Sequence, residues 1–148
     1  MFVTRKAEFS ASHVCRVPEW SEERNRAVFG EEANPNGHGH NYVLEVTIEG
    51  QPDPVTGMVI DLKTVKDILD ETVVEPMDHR FLNREVPPFD QVIPTTGNLA
   101  TEIWRRLSPQ FSRPEAKLHR IRLYETADLY VDVLRNATTD LSMGERPL

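Results

Sequence analysis

A single cysteine, Cys15, stands among 148 residues. The chain therefore cannot close a disulfide on itself, and one thiol suits a reducing compartment. Long hydrophobic runs are missing as well, since no apolar stretch approaches the roughly 20 residues that a membrane helix needs. Positive charge is in deficit, with 17 Lys and Arg against 24 Asp and Glu and a net charge of −7. Proteins that wrap nucleic acid need a basic face to displace counterions from phosphates, so that class is set aside. The first nine residues carry Arg5, Lys6 and Glu8 and lack the apolar stretch of a secretory leader. There is no internal repeat and no low-complexity tract. These absences predict a cytoplasmic protein with no membrane and no nucleic-acid partner. A local basic pocket on an acidic chain would still admit a small phosphorylated metabolite.

What is present reads as one α+β domain. The length is enough for one hydrophobic core, and 39% hydrophobic with 28% charged residues is a globular composition. Over residues 3–13 the odd positions are mostly apolar and the even ones polar, the alternation of a half-buried strand. A second strand spans residues 38–48, with His38, His40, Tyr42, Leu44, Val46 and Ile48 on one face. Residues 50–57 form a turn. Asp61 then caps a helix bearing Leu62, Val65, Leu69 and Val73, which Pro76 limits. After a proline-rich loop, Thr95 or Thr96 caps a second helix with Leu99, Ile103 and Leu107. Two more strands lie around residues 118–125 and 129–136. The order is β-β-α-α-β-β, with a single domain over residues 1–137 and a tail over 138–148.

The histidines carry the chemistry. His38 and His40, one residue apart on a strand, point to the same apolar face. His13 ends the apolar face of the first strand, the natural hairpin partner of the second. Three imidazoles can thus converge at one end of a buried surface. Three neutral nitrogen ligands with an open fourth position are the signature of catalytic zinc. The residues alone leave a second reading open, in which hydrogen bonds satisfy three core histidines.

Other polar residues sit on apolar faces. The strand around 118–125 places His119, Ile121, Leu123 and Glu125 together, so a carboxylate points where apolar groups point. Burying an unpaired carboxylate costs several kcal/mol. A ligand with a fork of N–H donors would offset that cost; the alternative is a strand-end residue facing solvent. Asp78 and His79 are either an acid–base unit or a helix-terminal turn.

Six ordered segments, FSASH (9–13), NPNGHGHNY (34–42), TGM (56–58), DH (78–79), PTT (94–96) and YET (124–126), resemble the 6-pyruvoyl- and 6-carboxy-tetrahydropterin synthase family. The resemblance implies a tunnelling fold, in which strands from three subunits close a β-barrel, helices pack outside, and two trimers stack into a hexamer. It implies Zn2+ on His13, His38 and His40, sites between subunits, and a pterin triphosphate substrate such as dihydroneopterin triphosphate. It also implies that Glu125 anchors the pterin 2-amino and N3–H groups, that Thr95 and Thr96 add contacts to the ring, and that Asp78 and His79 assist proton transfer.

Two departures sharpen the reading. Synthases of the pyruvoyl and carboxy type carry a catalytic cysteine before H-x-H, and Glu32 stands there in this chain, next to Glu31. Cys15 lies elsewhere, as a displaced nucleophile, a fourth zinc ligand or a small core residue. Gly97 follows PTT where a glutamate is usual. Glutamate at the cysteine position resembles a third subclass, which converts dihydroneopterin triphosphate to 6-hydroxymethyl-dihydropterin for folate synthesis. Three functions therefore stand at this stage: that carbon–carbon lyase, a 6-carboxy- or 6-pyruvoyl-tetrahydropterin synthase of the queuosine or tetrahydrobiopterin route, and a zinc-containing pterin-binding protein.

Overall fold

The computed structural model describes residues 1–136, and the tail expected from residue 138 lies outside them. In chain order the elements are β1 (Phe2–His13), α1 (Glu22–Phe29) with a 3-10 turn (Gly30–Ala33), and β2 (His38–Gly50). Then come α2 (Leu62–Leu69), which runs through a π turn (Asp70–Val74) into α3 (Glu75–Met77), β3 (Arg80–Phe81) and α4 (Leu82–Glu85). The chain continues with α5 (Thr96–Leu107), a 3-10 turn (Ser108–Phe111), β4 (Ser112–Arg113), β5 (Ala116–Thr126) and β6 (Leu129–Leu134). β2 lies between β1 and β5, antiparallel to both, and β6 extends the sheet beyond β5. The short β3 pairs parallel with β1 at the other edge.

One face of this sheet is covered by helices. Phe9, Leu44, Val46, Ile48, Ile121 and Leu123 from the strands meet Val65 and Leu69 of α2 and Leu99, Ile103 and Leu107 of α5. Burying each such side chain contributes about 1.5–3 kcal/mol. The opposite face carries paired charges. Arg122 grips Asp132 through two hydrogen bonds of 2.8 and 2.9 Å, and Arg135 donates to Glu49 at 2.8 Å. The expected α+β order is therefore present, with both helix caps where the sequence places them: Asp61 accepts from Lys63 N, and Thr95 accepts from Asn98 N.

Three local features differ from the periodicity. α1 is an additional helix, and it has no apolar stripe for a pattern search to find. Ser21 caps it, and its buried Asn25 ties it to the preceding loop by accepting from Val17 N and donating to Val17 O. Pro76 does not stop the helix ahead of it. The chain widens into the π turn and continues to Met77, which accommodates a residue with no N–H and a bulky ring. His119 does not share a face with Ile121 and Leu123. Thr47 pairs with Arg120 and Ile48 with Leu118, so His119 is the extra residue of a β-bulge that reverses the parity of β5.

Candidate metal centre

The pairing of β1 with β2 sets Ala11 opposite His40 and His13 opposite His38. The three rings pack edge to face with centroids 4.6 to 5.1 Å apart. His13 is fully buried, and its Nδ1 lies 2.7 Å from the carbonyl oxygen of Pro94. A carbonyl only accepts, so Nδ1 carries the proton and Nε2 presents a lone pair. That lone pair faces His38 Nε2 at 3.0 Å. Burial and the two neighbouring imidazoles push the His40 pKa down, holding it in its neutral form.

Glu32 enters from the 3-10 turn. Cys15 N donates to the Glu32 carbonyl at 2.8 Å and Arg16 to the Ala33 carbonyl at 2.9 Å, which fixes the turn against the end of β1. The following NPNG segment folds back through Gly37, whose φ of 77° suits a residue without Cβ. A Cβ there would stand 3.0 Å from the Phe81 ring. Held in this way, Glu32 Oε2 lies 3.1 Å from His13 Nε2 and 3.2 Å from His38 Nε2, and Oε1 lies 4.0 Å from His40 Nε2. The potential ligand atoms of His13, Glu32, His38 and His40 all fall within 4.8 Å of one another. Glu31, its neighbour, is exposed.

Glu125 is buried rather than turned to solvent, and its Oε1 stands 3.3 Å from His40 Nε2 and 3.6 Å from His13 Nε2. His40 Nε2 lies within charge-pairing distance of this carboxylate yet has no aligned hydrogen bond. The fully buried Tyr42 hydroxyl below it is also without a partner. Burial, together with Glu125, Cys15 and Glu32, pushes that phenol above its ordinary range. A divalent cation fits this donor set. It would use bare imidazole nitrogens that otherwise face one another and would neutralise two converging carboxylates.

Cys15 is not part of that set. Its Sγ lies 3.8 Å from His13 Nδ1, the nitrogen turned away from the cluster, and 3.7 Å from the Pro94 carbonyl. Burial and the nearby Glu32 carboxylate push its pKa up to about 12, so it is a neutral core thiol. Thr95 spends its hydroxyl on capping α5, and Thr96 is the buried first residue of that helix. A Cβ at Gly97 would meet nothing within 4 Å, so packing does not require the glycine.

Asp78 and His79 are not brought to the histidines. They form the turn before β3, where Asp78 Oδ1 accepts from Ser10 N at 2.8 Å and Oδ2 lies 2.8 Å from His79 Nδ1. Adjacent side chains on a strand would not meet like this; they do here because His79 has a φ of 59°. With Ser10, Ser12 and Asn41, His79 lines an open cleft of about 520 Å³ beside the polar face. Sequence reasoning missed two participants. Pro94 acts through its backbone carbonyl, which leaves no motif, whereas strand parity already puts Tyr42 on the histidine face.

The family model described as 6-pyruvoyl tetrahydropterin synthase matches residues 2–136. The chain belongs to that family. It is 44% identical over 124 residues to 6-pyruvoyl tetrahydrobiopterin synthase from Homo sapiens, covering 84% of each. The solved 6-pyruvoyl tetrahydropterin synthase of Caenorhabditis elegans superposes with a TM-score of 0.84 at 32% identity, over 92% of this chain and 96% of that one. The chain is also 31% identical over 128 residues to dihydroneopterin monophosphate aldolase from Pyrococcus furiosus, covering 86% of this chain and 92% of that protein. Members of the 6-pyruvoyl tetrahydropterin synthase family are lyases that act on pterins and use a metal ion. No helix among the described residues is long and apolar enough to cross a membrane.

Proposed function

We propose that this family member is a zinc-dependent lyase that converts 7,8-dihydroneopterin triphosphate to 6-hydroxymethyl-7,8-dihydropterin, a folate precursor. One observation carries the reading: a carboxylate, Glu32, joins the three histidines in the ligand group, while the single thiol lies outside that group, against His13 Nδ1. His13, His38 and His40 would hold the ion, with Pro94 fixing the tautomer of His13. When bound, zinc makes substrate hydroxyls more acidic and polarises a developing carbonyl. Glu125 keeps lone pairs beyond the one turned to His40, and these would accept from the pterin 2-amino and N3–H groups. Glu32 would take the proton of the hydroxyl on the second side-chain carbon. The bond between the first two side-chain carbons then breaks, and its electron pair passes into the dihydropterin ring. A proton returned to the first carbon completes the hydroxymethyl group, and the second carbon leaves as the aldehyde of the triphosphate fragment.

Asp78 and His79 would serve as a proton-transfer unit for a neighbouring subunit, in a hexamer built as a dimer of trimers. Thr96 would contribute a ring contact. Residues 1–137 act as one domain on this reading, in the cytoplasm. A second reading is a 6-pyruvoyl tetrahydropterin synthase, favoured by the 44% identity to the human enzyme of that name. Product analysis after incubation with 7,8-dihydroneopterin triphosphate separates the two. We expect 6-hydroxymethylpterin after oxidation, and about 10²- to 10⁴-fold slower turnover in Glu32→Gln with little change in pterin affinity. A pyruvoyl-pterin product would replace the first reading with the second, and a carboxy-pterin product would replace both with a 6-carboxy-tetrahydropterin synthase.

A further inference from the structure

Glu32 has a second capacity that its place among the histidines supports. We propose that its carboxylate is an exchangeable fourth metal ligand. In the substrate-free protein it closes the coordination shell, and a hydroxyl of the pterin side chain displaces it, which releases it as a base. The identity of the displacing ligand rests on the function proposed above; the closed shell does not.

The spacing on one face of the group is close to that of a metal site. Metal–nitrogen and metal–oxygen bonds of about 2.0–2.2 Å place tetrahedral ligand atoms about 3.3–3.6 Å apart. The three edges that join His13, His38 and Glu32 Oε2 are 3.0, 3.1 and 3.2 Å. His40 stands farther off, 4.0 Å from the nearer Glu32 oxygen, Oε1, within a group that spans up to 4.8 Å, so it would close in on a bound ion. Glu125 is not equivalent, because it approaches His13 and His40 but falls outside the group that spans all three histidines.

Exposure and tethering together select the ligand that leaves. The His13 side chain is 0% exposed and His40 15%, whereas His38 at 30% and Glu32 at 37% are the open pair; of these, His38 is held in β2 and the one carried on a turn is Glu32. Its backbone is tied to Cys15 N, so release needs side-chain rotation and no loop movement. A carboxylate also lowers the charge of a dication on neutral histidines from +2 to +1, which a neutral water or thiol would not do. The proton acceptor therefore stays engaged until substrate arrives, and base release is coupled to binding.

Metal affinity and cobalt spectroscopy test this without turnover. We expect Glu32→Gln to weaken zinc binding by about 10- to 100-fold in competition with a chromophoric chelator, and Glu32→Asp to recover part of the loss. Cobalt-loaded wild-type protein and Glu32→Gln should differ in their visible spectra when ligand-free. The two should converge once neopterin, an oxidised pterin that keeps the side-chain hydroxyls, is added. Circular dichroism and sedimentation confirm that both variants are folded. Equal zinc affinity and identical ligand-free spectra would overturn the proposal even if Glu32→Gln lost turnover, leaving Glu32 as a base that never binds metal. Weakened affinity combined with a pyruvoyl product would uphold the exchangeable ligand and remove the folate reading instead.

Discussion

Two polar clusters flank the same end of β1, and they are built in opposite ways. On the inner side His13, His38, His40, Glu32 and Glu125 crowd together, and His40 Nε2 has no hydrogen-bond partner. On the outer side Asp78 and His79 are satisfied locally, by Ser10 N, by Ser10 O at 2.6 Å from His79 N, and by each other. The Ser10 and His79 bonds hold the Asp78 carboxyl below the usual carboxylate range. The inner cluster needs something from outside the chain to balance it, while the outer one is complete and merely exposed. A bound cation would supply the missing partner of the first. The second lies outside the group that the three histidines form, so the proton-transfer role proposed for it calls for a neighbouring copy.

The largest expected effect tests the inner cluster. His40→Ala should abolish stoichiometric metal and all turnover while leaving a folded protein of unchanged oligomeric state, because the site is an addition to a core that closes without it. Full zinc occupancy in that variant would remove His40 from the ligand set. Next in size is His79→Ala, expected to slow turnover by about 10²- to 10⁴-fold with metal content intact. If the outer cluster serves a neighbour, co-assembling His40→Ala with His79→Ala subunits should restore activity that neither variant has alone. Failure of the mixture, with both variants assembled, would mean that the two clusters never meet.

How far these clusters were legible in the sequence depends on which physics placed them. Strand parity is local, so the convergence of His13, His38 and His40 and the inward aim of Glu125 followed from alternation. The bulge at His119 reversed that parity upstream of Glu125, and alternation carries no sign of an inserted residue. α1 was illegible because its stability comes from Ser21 and Asn25 and not from an apolar stripe. The side of the sheet on which Asp78 and His79 fall depends on a left-handed residue at position 79, which no periodicity encodes. The tautomer of His13 rests on a carbonyl 81 residues away.

Thr95 gives a smaller test of the same contrast between satisfied and unsatisfied groups. Its hydroxyl already accepts from Asn98 N at 3.1 Å. Thr95→Ala should cost about 1 kcal/mol in chemical denaturation, with Thr95→Ser close to wild type and pterin affinity unchanged in both. A loss of pterin affinity at full stability would instead assign the hydroxyl to the substrate.

The smallest expected effect belongs to Cys15, and it separates a thiol mechanism from a carboxylate one. With its pKa pushed up to about 12 by burial and the Glu32 carboxylate, the thiol is held in its neutral form at pH 8. The raised value favours the neutral thiol in the folded state, so titrating upward through the unfolded value near 9 disfavours folding, and nothing changes around neutrality. A thiol reagent at pH 8 should leave the native protein unlabelled and modify it once unfolded. Cys15→Ala removes one small buried group and should cost about 1 kcal/mol or less, with turnover and product unchanged. The placement of Sγ against His13 Nδ1 and the Pro94 carbonyl, outside the four-residue ligand group, explains why: removing it takes no ligand atom from the site. If Cys15→Ala instead stopped turnover while zinc stayed bound, the sulfur would be the working group. Glu32 would then lose its claim as base to the thiol beside it.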